Sequence, residues 1–122
     1  MGEPETNPNR ETKTGYLRII TYGKIWRLGG HKYVLAVKDN DVIRQVKNVA
    51  NRHTPVKVVI WGDAMPLIHD THPSFKKDKT KEYLFFHLTK PLYTTWYVLY
   101  RKGVLPIEIM IPVKGDSDNK VM

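Results

Sequence analysis

Two consecutive glycines, Gly29-Gly30, constrain this chain more than any other feature, because they stand between two β-rich runs. Both can take positive φ with little strain, so they read as the tight turn of a β-hairpin joining Tyr16–Leu28 to His31–Lys38. The first run holds Tyr, Ile, Ile, Thr, Tyr, Ile and Trp, residues that suit a pleated surface. A two-residue loop sets Leu28 across from His31, Trp26 across from Tyr33 and Lys24 across from Leu35. Side chains alternate along a strand. This register therefore puts Tyr22, Lys24, Trp26, Leu28, His31, Tyr33, Leu35 and Val37 on one face. Thr21, Ile25, Arg27, Lys32, Val34, Ala36 and Lys38 take the other. Neither face is cleanly polar, so Trp26 and Tyr33 read either as a core pair or as a binding surface.

The charge gathers in the same region. Lys13 to Lys57 contains ten Lys or Arg against Asp39 and Asp41, which is +8, the net charge of the whole chain. A localised basic field is the footprint of a polyanionic partner. Arg18, Lys24, Arg27, Lys32, Arg44 and Lys47 are the expected phosphate contacts. Trp26 and Tyr33 are the aromatics placed to meet bases.

Beyond the hairpin, Asp39-Asn40-Asp41 reads as a helix start, since these side chains accept from free N–H groups. Val42, Ile43, Val46, Val49 and Ala50 then share one helical face, and Arg44, Lys47, Asn48 and Asn51 the other. Pro55 ends the helix. Val56–Trp61 follows as a buried strand. Pro66 argues for an edge or a loop, and His69–Lys81 reads as a loop. His69 and His72 have no helix to align them, so no metal is expected. Glu82–Thr89, Thr94–Arg101 and Leu105–Val113 read as three strands, in a block from Glu82 to Val113 that carries seven of the thirteen aromatics. No internal repeat is visible. The fold expected is α+β, mainly β: an N-terminal hairpin, one short helix, then an antiparallel sheet. One globular domain spans 15–115, with disordered tails over 1–14 and 116–122.

Several functional classes lose support. Without cysteine there are no disulfides and no thiolate sites. No Gly-rich phosphate loop or Ser elbow is present, so neither an enzyme nor a cofactor is expected. No apolar run reaches membrane-spanning length, and the polar N-terminus lacks a secretory pattern, which points to an intracellular protein and no membrane partner. The function expected is a small basic duplex-DNA-binding regulator, with DNA preferred over RNA. Its alternatives are a single-strand binder that stacks bases on aromatics, and a structural, oligomerising subunit.

The run from Lys24 to Lys38, followed by Asp39-Asn40-Asp41-Val42-Ile43, resembles the swapped-hairpin DNA-binding domain of the AbrB/MazE type. The shared pattern is a basic first strand, a Gly-containing turn, a hydrophobic second strand and a short helix, over roughly residues 22–68. His31 stands where that family often has Ser, and Lys38 where it usually has Pro. The resemblance implies an interleaved homodimer that binds duplex DNA through the hairpin. Lys24, Arg27 and Lys32 match its contact positions; Arg18 rests on charge alone.

Overall fold

The computed structural model describes residues 15–63 and 65–113. The tails expected over 1–14 and 116–122 lie outside the described residues. The described chain is mainly β, with seven strands in one antiparallel sheet and two α-helices. In chain order these are β1 (Gly15–Gly29), β2 (Lys32–Val37), α1 (Asn40–Val49), β3 (Val56–Trp61), β4 (Pro66–Thr71), β5 (Pro73–Asp78), β6 (Lys81–His87), α2 (Tyr93–Lys102) and β7 (Val104–Val113). A single 3₁₀ turn, Lys90–Leu92, precedes α2.

The sheet runs β4-β3-β7-β1-β2-β6-β5. Its two outermost strands, β4 and β5, are consecutive in the chain and joined by His72 alone. Seven flat strands would hold them about 29 Å apart, at ~4.8 Å per step. One linking residue spans only about 7 Å. The sheet therefore rolls up, and β4–β5 acts as one bent strand that closes it into a barrel. At the closure Thr71 Oγ1 donates to the carbonyl of His87 at 2.8 Å, and His69 Nε2 accepts from the N–H of Thr89 at 3.3 Å.

The barrel consists of two similar units. Residues 15–61 give long strand, hairpin, helix, strand, and residues 66–113 give the same series. Each hairpin leaves two residues between its last pair, Gly29 with Lys32 and Asp78 with Lys81. The first loop residue has φ 56° at Gly30 and 57° at Lys79, so the turns match in hand as well as length. β1 pairs with its own β2 and with β7 of the other unit, while β4–β5 pairs with its own β6 and with β3. On the axis that relates the units, Ala36 faces Phe85 and Val58 faces Ile109. β2 and β6 are antiparallel neighbours, so the helices that leave their C-terminal ends sit at opposite ends of the barrel.

Inside lie Ile19, Ile25, Leu35, Val37, Val58, Ile60, Leu84, Phe86, Ile107 and Ile109. Val42, Ile43 and Val46 of α1 and Trp96 and Leu99 of α2 join this core. Gly23 lies where β1 leaves β7 for β2. A Cβ there would stand 3.0 Å from Leu35 and 3.1 Å from Ile107, so the core packs directly on its backbone.

Three local expectations are corrected. The glycine turn forms, with φ 127° at Gly29 and 56° at Gly30, but the loop is Gly30-His31 and the register slips by one. Trp26 faces Val34, and Arg27 faces Tyr33. An irregularity between Arg27 and Gly29 absorbs the extra residue, and the slip sends Trp26 and Tyr33 to opposite sides of the wall. The stretch read as a loop, His69–Lys81, lies largely in β4, β5 and the start of β6. Pro66 and Pro73 begin strands, where a missing N–H is tolerated. Thr94–Arg101 is helical, not extended. Trp96 and Leu99, three residues apart, reach the core from one helical face, and Trp96 Nε1 donates to Thr89 O at 2.7 Å.

Candidate nucleic-acid interface

The alternation that fills the barrel turns the other half of each strand outward, and the outer surface divides into two walls of different chemistry. The wall of β4, β3, β7 and the first half of β1 is apolar. Its cations are neutralised in place: Arg18 Nε lies 3.2 Å from Glu108 Oε2, and Lys57 Nζ lies 2.7 Å from Asp70 Oδ1. Glu108 is only 8% exposed, and its Oε2 has no aligned hydrogen bond, so the contact with Arg18 is an ion pair alone. The Lys57 ammonium holds Asp70 below the usual carboxylate range through their hydrogen bond, and Asp70 in turn raises Lys57.

The second wall, made by the other half of β1 with β2, β6 and β5, is aromatic and basic. Trp26 meets Tyr83 edge-on at 5.4 Å and Phe85 at 5.3 Å, from the neighbouring outward positions. Lys38 Nζ sits 5.8 Å from the Trp26 ring centre. Lys24, Lys32, Lys38 and Lys76 surround this cluster, and none has an acidic partner among the described residues. A groove of about 360 Å³ opens where β2 diverges from β1, lined by Thr21, Tyr22, Lys24, Lys38, Asp39 and Val104 among others. His87 shares this wall. Burial, and then the nearby charges of Lys32 and Lys76, hold its imidazole below the ordinary value.

The residues singled out from sequence therefore separate. Lys24, Trp26 and Lys32 come together on the basic wall. Arg18 lies on the apolar wall, bound to Glu108. Tyr33 is 2% exposed and packs inward against Tyr100 at 6.1 Å, so it presents no stacking surface. Arg27 points to the α2 side of the hairpin tip, where its Nε donates to Gly30 O at 3.2 Å. On α1, Arg44 pairs with Asp41, and Lys47 with Glu82 of β6. Lys38, Lys76, Tyr83, Phe85 and His87 complete the wall without having been singled out. Period-two alternation over Tyr83–His87 was the available signal for three of them. Lys76 could be placed only once β5 was known to be a strand.

Among the described residues no His, Asp or Glu cluster could hold a metal ion, and no helix is long and apolar enough to cross a membrane. No protein-family model, curated protein or solved structure matches the chain.

Proposed function

We propose that this protein binds duplex DNA across the basic wall. The observation that carries the reading is a two-fold one. The two hairpins lie in the same wall and are related by the axis through Ala36 and Phe85. Their turns stand about ten residues of extended chain apart, roughly 33 Å at ~3.3 Å per residue. One turn of duplex is about 34–36 Å. Each tip carries lysine: Lys32 on one, and Lys77, Lys79 and Lys81 beside Asp78 on the other. The lysines between them, which have no acidic partner among the described residues, supply phosphate neutralisation, which dominates affinity for DNA. The element order of residues 15–61 is also the one that the AbrB/MazE resemblance implies, and supports the same reading.

Titration of a labelled duplex over a salt series tests this. Four phosphate contacts give a slope of about −3 to −4 in log K against log salt. Lys24→Ala with Lys38→Ala flattens it by about 2, whereas Arg44→Ala with Lys47→Ala, already ion-paired, changes it little. Equal losses from both pairs, or no binding at low salt, defeat the proposal. The Trp26–Tyr83–Phe85 cluster favours a second reading, a single strand stacked on the same wall. Quenching of Trp26 by oligo(dT) at concentrations where duplex does not bind would select it.

A further inference from the structure

Strand alternation turns Arg27 and its cross-strand partner Tyr33 away from Trp26, toward α2. There a cleft of about 360 Å³ opens between the tip of the first hairpin and the helix. His31 stacks on Tyr93 with ring centres 3.7 Å apart, and Tyr97 follows one turn along the same helical face. Tyr93 and Tyr97 remain 37% and 41% exposed. Arg27 Nε donates to Gly30 O at 3.2 Å, and Arg101 Nη1 donates to the Tyr97 hydroxyl at 3.1 Å. Both guanidiniums are thus oriented, and neither has an acidic partner among the described residues. No acidic side chain among the described residues lines the cleft, and the first turn of α2 carries none.

The second unit builds the counterpart of this cleft, with α1 lying against β6 as α2 lies against the first hairpin. Thr80, Glu82 and Asn40 line it where His31, Tyr33 and Tyr93 line the first. The helix positions of Tyr97 and Tyr100 are there taken by Arg44 and Lys47, which are consumed by ion pairs with Asp41 and Glu82. One architecture therefore carries two chemistries: neutralised pairs in the second cleft, flat rings beside unneutralised arginines in the first. Rings that stack a base and a guanidinium that forks onto a phosphate are the two groups that hold a nucleotide. We propose that the cleft between the first hairpin and α2 binds a single nucleotide, its base on the rings of His31, Tyr93 and Tyr97 and its phosphate on Arg27. The volume lies near the lower end of the about 300–1,000 Å³ of ligand clefts, which suits one nucleotide rather than a run of them. A free nucleoside monophosphate and the phosphorylated end of a strand present this same chemistry. The site lies off the basic wall and does not rest on the duplex reading.

Calorimetric titration of the full chain, without duplex DNA, tests this separately from the basic wall. The probes are AMP, adenosine, inorganic phosphate and a short oligodeoxyadenylate with a 5′-phosphate. AMP binds about tenfold or more tighter than adenosine, the worth of a charged hydrogen-bonded contact. Arg27→Gln brings AMP down to the level of adenosine and leaves adenosine unchanged. Tyr97→Leu weakens both by about fivefold or more, through lost stacking. Arg44→Gln, in the counterpart cleft, leaves AMP binding as it is. Circular dichroism verifies the fold of each variant. Tighter binding of the oligonucleotide than of AMP, lost in Arg27→Gln, identifies a strand end as the occupant; AMP binding at least as tightly identifies the free nucleotide. Absence of binding by AMP and oligonucleotide alike up to millimolar concentration overturns the proposal. So does adenosine or phosphate alone binding as tightly as AMP, or undiminished AMP affinity in Arg27→Gln.

Discussion

His87 reports the field of the basic wall through a single imidazole. Burial first, and Lys32 and Lys76 second, keep its pKa below the ordinary 6.5. The folded protein thus holds His87 neutral where the unfolded chain would already be protonated. The stability this contributes is complete above about 6.5 and is lost as pH falls through the lowered value. His69 behaves in the same sense, chiefly through burial, with Asp70 opposing. Phosphates placed on Lys32 and Lys76 would cancel part of the field at His87, so binding takes up a proton. DNA affinity should therefore rise as pH is lowered from about 7.5 to 6, by at most about tenfold for each unit that binding raises the pKa. Titrations at both pH values, with His87→Gln beside the wild type, measure this. An equal gain in the variant would place His87 outside the contacted surface.

At the scale of elements, α1 shows a start written in its residues. Asp39 Oδ1 accepts from the N–H groups of Asp41 at 2.9 Å and Val42 at 3.3 Å. Asp39→Ala should cost about 1 kcal/mol, seen as a lower urea midpoint with an unchanged slope; no shift would mean that packing alone fixes the helix start. This helix, the hairpin and β3 were legible because each has a local cause: a cap, a glycine turn, an apolar run before a turn. The register of the hairpin was not. Tyr33, Val34, Leu35, Ala36 and Val37 are all buried, so both faces of β2 are apolar and either register satisfies the pattern. Nor was α2, where Thr, Tyr, Trp and Val favour a strand and the decision comes from the core that receives Trp96. The basic wall was half legible. Its first-unit residues stood in the charged stretch, but Lys76, Tyr83 and Phe85 arrive from the other unit, brought across by the pairing of β2 with β6.

For the whole molecule, the division into two units had no sequence signature. The equivalent positions differ in chemistry: Tyr33 and Tyr100 touch as aromatics where Glu82 and Lys47 form an ion pair. What persists is backbone pairing, down to the shared positive φ of Gly30 and Lys79. Because β1 bonds to β7 and β4 to β3, each unit's long strand is finished by the other unit's last strand. Neither unit is a separable half, although one short connection between Trp61 and Pro66 is all that joins them covalently. Two peptides cut at that connection should recognise each other in solution and assemble one to one, as native mass spectrometry of the mixture would detect. Peptides that stay apart would mean the covalent link supplies what the interlocked strands cannot. The barrel would then be a folded chain whose complementation depends on tethering rather than on fit.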